Sequence, residues 1–461
     1  WNAFVPGNPH YGQATPWVAA QNDPGTFFQN STSYVNNVSL NGGDSNSAFN
    51  LSYTNNSETG IMPNSKLIKN AISGNYSRDL NDKIKINSFM TFSHQSVTGR
   101  NSVGYGDNLL TGFRQWWPVN VDVQELRSEY FRTGRNVTWN MIDPTNGDLR
   151  PNFWNNPYFE RYENYTTDNR KRLLTGASIS FDVTKNFNLL GRVGIDYSYD
   201  KQELRKAIGS HAEEFGISQV TNQATESSGY VMFTRDFLQQ NYDIIGTYDL
   251  SLSSDLSAKI IGGFNFIRAD SYSFEGATAG GLLIPGIYSL SNSSVFIPPV
   301  ESTIKYEKAG VYGQANIDFK KMVYLEGSFR HDESTALPKS SRGYDYYSAG
   351  TSIILSEMIK ADWLSFAKLR LNYARVGNDP LYGRLGAKQN NGSVNNNPIF
   401  GNSDQLIEFE KLRPEITHSW ELGLEASIFK NRLSLDASVY KTNTKDQIFF
   451  VPQSPATQYI S

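Results

Sequence analysis

Ser419-Trp420-Glu421-Leu422-Gly423-Leu424-Glu425-Ala426-Ser427-Ile428 is followed by Phe429-Lys430-Asn431 and then by Arg432-Leu433-Ser434-Leu435-Asp436-Ala437-Ser438-Val439-Tyr440. Trp420, Leu422, Leu424, Ala426 and Ile428 alternate with polar or small residues, and so do Leu433, Leu435, Ala437 and Val439. A period of two is the signature of a strand with one apolar and one polar face, and three residues between two such strands make a hairpin. In a soluble sandwich the apolar set faces a core; in a transmembrane barrel it faces lipid while the polar set faces a wet lumen.

The same pattern recurs along the whole chain. It predicts strands near Ser33–Asn41, Ser47–Asn55, Lys69–Asp79, Lys83–Ser96, Arg172–Val183, Asn188–Gln202 and Glu226–Ser251. Seven more follow near Ser257–Ser271, Thr303–Phe319, Val323–His331, Tyr346–Leu355, Phe366–Val376, Ile416–Ile428 and Arg432–Thr442. Short turns such as Leu80-Asn81-Asp82, Thr184-Lys185-Asn186 and the glycine pair Gly42-Gly43 before Asp44 alternate with long loops. The long ones are Asn56–Ile68, Thr98–Arg170, Glu203–Thr225, Tyr272–Ser302, Asp332–Asp345 and Gly377–Glu415. Short connections at one end and long ones at the other are the topology of an outer-membrane barrel. Open strand edges are not tolerated in lipid, so about fourteen strands imply an incomplete wall.

Composition agrees. With 38% hydrophobic residues and a mean hydropathy of -0.48, no stretch approaches the roughly 18 apolar residues of a membrane helix. A barrel with a polar lumen can be this hydrophilic and still cross a bilayer. No linker or change of period divides residues 1–461, which we take as one incomplete barrel domain carrying long loops at 98–170, 272–302 and 377–415. Aromatic residues make up 13% of the chain and gather near strand ends at Tyr197, Tyr199, Phe264, Phe266, Tyr346 and Tyr347, as expected for interfacial girdles. A net charge of -3 gives no sign of a nucleic-acid partner, and the absence of cysteine excludes disulfides and thiolate metal sites. The chain opens at Trp1 with no charged or apolar leader pattern, so we expect no signal peptide in it and a piece of a longer polypeptide.

Several segments, in this order, resemble the SusC/RagA-like branch of the TonB-dependent outer-membrane transporters of Bacteroidota. They are Asn37-Val38-Ser39-Leu40-Asn41-Gly42-Gly43, Gly60-Ile61-Met62-Pro63-Asn64, Gly194-Ile195-Asp196-Tyr197 and Gly313-Gln314-Ala315-Asn316-Ile317-Asp318-Phe319. Phe329-Arg330-His331-Asp332-Glu333-Ser334 follows, then Arg413-Pro414-Glu415-Ile416-Thr417 running into Trp420-Glu421-Leu422-Gly423. Where the family usually reads Arg-x-Asp-Gly-Ser-Ser, this chain has Arg330-His331-Asp332-Glu333-Ser334-Thr335. The resemblance implies an all-β transmembrane antiparallel barrel of twenty-two strands, of which this chain would hold the second to the fifteenth. The plug, the closing strands and the TonB-binding segment would lie outside it. It further implies an integral outer-membrane protein that imports a nutrient, an oligosaccharide first and a peptide as the alternative, and that is not an enzyme. A SusD-like surface lipoprotein would cover it, and TonB-ExbB-ExbD would energise it. A passive pore or adhesin built on the same barrel is the other reading of the pattern.

No catalytic or cofactor constellation is evident. His10, His94, His211, His331 and His418 are scattered without metal-ligand spacing, and the Asn-x-Ser/Thr triplets at Asn30, Asn37 and Asn50 follow from composition. Arg192, Asp196, Lys368, Arg370, Glu421 and Glu425 are expected on the lumen face as a hydrogen-bonded wall. The candidate ligand contacts are the loop aromatics and their amide neighbours: Trp116, Trp117, Trp154, Asn155 and Tyr158, with Trp139 and Arg114 beside them, and a second set of Asn378, Asp379 and Tyr382. Sugar rings lay their C–H faces on such rings and give hydroxyls to amides and carboxylates. The competing reading is that these aromatics form the loop's own small core or pack against the lipoprotein partner.

Overall fold

The computed structural model describes residues 1–102, 108–215, 223–380, 389–394, 397–402 and 412–448. Its centre is one antiparallel sheet of fourteen strands in strict chain order. They are β1 Thr32–Gly43, β2 Ser47–Thr59, β3 Lys66–Asn81, β4 Ile84–Thr98, β5 Thr166–Asp182, β6 Phe187–Lys206 and β7 Gly229–Ser251. The second half is β8 Leu256–Ala277, β9 Val300–Phe319, β10 Val323–Ser334, β11 Gly343–Ile354, β12 Leu364–Asn378, β13 Glu415–Ile428 and β14 Leu433–Lys445. All fourteen expected strands are present. Tyr382 lies outside the described residues.

Most strands run further toward the long-loop end than alternation alone suggests. β8 continues to Ala277 and β9 starts at Val300. The segment expected as a loop over 56–68 is mostly strand, leaving only the bend between Thr59 and Lys66. Past the strip of alternating apolar side chains the period of two fades while backbone pairing continues.

The pairing registers sort the side chains by face. Trp420, Leu422 and Leu424 stand opposite Tyr373, Leu371 and Leu369 on β12, and opposite Lys441, Val439 and Ala437 on β14. Ile244, Phe264 and Val311 continue the same face across β7, β8 and β9. Nothing among the described residues covers this face: Ile244 is 58% exposed, Val311 52% and Leu422 50%. A sandwich would have buried them under a second sheet. A contiguous apolar surface of this extent belongs against another apolar medium. Among the described residues no helix is long and apolar enough to cross a membrane, which leaves crossing by strands open.

The other face is polar and cross-linked. Arg192 donates to Asp243 at 2.6 Å, Arg172 holds Asp196 through two bonds of 2.8 and 2.6 Å, and Arg170 and Arg235 both reach Asp200. Arg370 contacts Glu421 and Asp436, each at 3.4 Å. Asn265 adds a 2.8 Å bond to Asp243.

Two expectations change here. The glycines Gly42 and Gly43 end β1 and do not form the turn; Asp44 makes it by accepting from Asn46 N at 2.8 Å and Ser47 Oγ at 3.0 Å. Gly43 is held by the partner backbone instead, since a Cβ there would lie 2.2 Å from Ser47 O. Tyr346, expected in a girdle, sits on the polar face and donates to Asp332. The turn after β13 uses Phe429, Lys430 and Asn431 in the left-handed region, with φ of 52, 58 and 64°.

Candidate functional site

The longest connection, between β4 and β5, folds with the first thirty residues into a cap at one end of the sheet. Its order comes from local rules. Helix α1, Val123–Thr133, is capped by Asp122, which accepts from the backbone of Gln124 and Glu125, and is stopped by Gly134 at φ 66°. Helix α2, Pro157–Glu163, has Asn156 as its N-cap and proline in its first turn. The two close over a core of Phe27, Met62, Val123, Tyr130, Tyr158 and Phe159.

Met62 brings the Gly60-Ile61-Met62-Pro63-Asn64 segment into this core. Next to it, buried Arg161 donates from Nε to Pro63 O at 2.9 Å and from Nη2 to Gly99 O, while Asn64 Nδ2 donates to Arg161 O at 2.8 Å. The cap is thereby fastened to the ends of β2, β3 and β4. Gly99 has φ 67°, and a Cβ there would stand 1.8 Å from Asn64 O.

The candidate ligand residues separate into packing and surface groups. Tyr158 is 3% exposed, its ring edge-on to Phe27 at 5.1 Å. Trp117 donates from Nε1 to Val121 O at 3.1 Å and meets Phe113 and Trp139 at 5.1 and 4.5 Å. Asn155 is buried: its amide donates to Glu160 at 2.7 Å, and its oxygen accepts from Asn136 at 2.7 Å and His211 N at 2.8 Å. Trp154 lies half-buried over Gly112, in a narrow cleft with Phe113, Trp139, Glu160 and His211. Trp116, in contrast, is 52% exposed. It ends a π turn, Gly112–Trp116, that also leaves Arg114 and Gln115 exposed.

Behind that cleft, His211 is buried and bonded through Nε2 to Glu213 at 2.7 Å. Burial, with the charge of Lys206 second, pushes its pKa down to about 4, so the ring is neutral at pH 7.

Asp379 belongs to a separate cluster. It accepts from Tyr306 Oη at 2.9 Å, Lys308 Nζ at 3.2 Å and Ser334 Oγ at 2.5 Å. Lys308 also meets Asp332 at 3.3 Å, and Asp332 takes Arg330 Nε at 2.6 Å and the hydroxyl of Tyr346. Burial raises the Asp379 pKa, but the Ser334 bond, the Lys308 charge and the Tyr306 bond outweigh it and hold the carboxyl below its ordinary value. Asn378 ends β12, exposed and opposite Glu415. This cluster explains the Arg330, Asp332 and Ser334 pattern as a tie between β9, β10, β11 and the loop after β12.

Sequence reasoning missed a groove on the polar face across β2 to β7, lined by Asn50, Asn75, Asn87, Phe89, Ser178 and Arg192. Alternation showed that these residues share a face; only register shows that they adjoin. Among the described residues no group of three or more His, Asp or Glu is placed to hold a metal.

The TonB dependent receptor-like, beta-barrel family model matches residues 116–461. The chain belongs to this family of TonB-dependent receptors. Members of the family are transporters, not enzymes. TonB-dependent receptor P26 of Formosa agariphila is 22% identical over 467 residues, covering 95% of this chain and 43% of that protein. TonB-dependent receptor P3 of the same organism is 24% identical over 266 residues, covering 52% of this chain and 23% of its own length. Among solved structures, the RagAB peptide transporter has a TM-score of 0.75 at 16% identity over 98% of this chain and 49% of that one. The RagAB peptide importer in its closed-closed state gives a TM-score of 0.77. At these identities the structural likeness concerns the fold. This TonB-dependent receptor chain spans less than half the length of the curated relatives it matches.

Proposed function

We propose that this chain forms part of the wall and the outer cap of an outer-membrane importer, driven through TonB-ExbB-ExbD, that takes up an oligosaccharide. The complete barrel on this reading has twenty-two strands and a plug, and a SusD-like lipoprotein closes it from outside. The observation that carries the membrane part is the uncovered apolar face set against a polar face knit by Arg–Asp pairs. The substrate part rests on Trp116, whose exposed indole stands in one turn with the Arg114 guanidinium and the Gln115 amide. A sugar ring stacks on such a face and gives its hydroxyls to such donors.

A peptide substrate is the second reading, favoured by the fold shared with RagAB. The complete reading frame, expressed with its neighbouring lipoprotein gene and probed on glycan and peptide arrays, tests both. Glycan binding that falls about tenfold or more in Trp116→Ala, the range for losing one buried aromatic contact, supports the sugar reading. Binding of peptides alone moves the substrate class, and a reading frame lacking a TonB-binding segment removes energised import.

A further inference from the structure

In the cap, one deeply buried polar atom is left without a partner. Phe113, Trp139 and Trp154, each half-buried, wall the cleft beside the π turn Gly112–Trp116, and Asn155, Glu160 and His211 complete its lining. The His211 side chain is only 5% exposed. Its Nε2 is taken by Glu213 at 2.7 Å, and its Nδ1, shielded from bulk water, has no hydrogen-bond partner among the described residues. A neutral ring that donates to a carboxylate carries its proton on that nitrogen, so Nδ1 is an acceptor. A buried acceptor without a donor is a standing cost, and a correctly placed donor removes it.

The surroundings select the donor. The Lys206 charge is felt at His211, so a cationic donor is repelled. The Glu160 carboxylate, which accepts from Asn155 and Asn164 at 2.7 and 2.8 Å, turns away an anion. A neutral hydroxyl remains. Its carbon must be small and apolar, because the walls are aromatic and the cleft measures about 20 Å³, space for one water-sized group and part of another. The three rings keep one side to solvent, so the walls can part for the second atom. The π turn also fixes what stands outside: its first residues, Gly112 and Phe113, line the cleft, and its last, about one turn on, is the exposed Trp116.

We propose that this cleft receives the hydroxymethyl group of a hexose whose ring rests on Trp116, with the hydroxyl donating to His211 Nδ1 and the methylene against the aromatic walls. His211 is then the residue that separates hexoses from pentoses. A site built around an acceptor rejects the analogue that lacks the donor, because the acceptor stays buried and unpaired. The inference rests on the sugar reading given above.

The test uses the full-length protein with its lipoprotein partner in mild detergent, and saturation-transfer NMR with two matched pairs of probes. These are methyl β-D-glucopyranoside against methyl β-D-xylopyranoside, and methyl β-D-galactopyranoside against methyl α-L-arabinopyranoside; within each pair only the hydroxymethyl group differs. In at least one pair the hexoside should bind about five- to tenfold tighter, the range for one hydrogen bond to a buried acceptor, and its 6-deoxy analogue should fall to the level of the pentoside. His211→Leu should erase the preference, and His211→Gln, whose amide oxygen still accepts, should keep part of it. The 6-deoxy comparison decides the matter even where His211→Leu fails to fold. Equal binding within both pairs, no hexoside binding, a preference that survives loss of the hydroxyl or His211→Leu, or competition by N-acetylserinamide as strong as by the hexoside overturns the proposal. The sugar reading is judged separately: arrays that bind peptides alone refute both, whereas hexoside and pentoside binding that is equal and falls alike in Trp116→Ala refutes only this subsite.

Discussion

Two residues in the cap show how single positions decide whether it stays closed. Gly99 combines a left-handed backbone with contact to Asn64 O and to the Arg161 side chain, so any side chain there must displace the clamp. Gly99→Ala is expected to cost about 2–4 kcal/mol, from positive φ and backbone displacement together. Limited proteolysis should then cut the cap at lower protease concentration while the wall strands stay protected; an unchanged pattern means that the clamp does not hold the cap. His211 gives the cap a pH response. Its folded pKa of about 4 lies below the ordinary 6.5, so the unfolded cap binds the proton first. The neutral-ring contribution is therefore complete above pH 6.5, declines as pH falls toward 4, and is lost below, a loss of a few kcal/mol at most. Hydrogen-exchange protection of α1 and α2, corrected for the slower intrinsic exchange in acid, should fall as pH drops through that window in the wild type and less so in His211→Gln. A flat profile in both removes His211 as the titrating group.

At the scale of the strand, stability comes from pairs that join neighbours on the lumen face. Asp243 is the clearest case, buried and accepting from Arg192, Asn241 and Asn265. Replacing it by Ala removes an acceptor shared by a half-exposed guanidinium and two amides, a loss of about 1–3 kcal/mol because water reaches the Arg192 head. Lys171, exposed on the other face with no ion partner among the described residues, should cost under about 0.5 kcal/mol on the same change. Thermal loss of the compact form on unheated gels measures both, and equal midpoints remove the lumen pairs as a source of stability. The strands themselves were legible because one apolar and one polar face impose a strict period of two. Their outer ends were not, because water bathes both faces there. The candidate ligand residues were legible only as a group. Trp116 and Tyr158 carry the same composition signal, yet one is exposed and the other is core, and that difference depends on where α1 and α2 meet. The same holds for Asp379, whose three donors come from β9 and β10, far away in sequence and adjacent only by register.

For the molecule as a whole, the asymmetry between faces makes a demand that no single strand reveals. In water, an uncovered face bearing Leu422, Leu371 and Val439 in one row forfeits about 25 cal/mol for each Å² of apolar surface left unburied. In lipid that cost vanishes, and the expense moves to any charge placed on the same row. Leu424→Arg, at the middle of the Trp420 to Ile428 row, is therefore expected to destabilise the refolded full-length barrel by roughly 2–4 kcal/mol in bilayers, as for mid-membrane positions of other barrels. Asn75→Arg, in the polar groove, should stay within about 1 kcal/mol because water already reaches that face. Urea titrations in lipid vesicles give both values, and thinning the bilayer should reduce the first without moving the second. Should Leu424→Arg be as stable as the wild type, the row faces water and the wall does not cross a membrane. Should both changes cost alike, both faces are buried, as in a two-sheet sandwich. Only the unequal pair matches a sheet whose polar side is wet and whose apolar side has no protein against it.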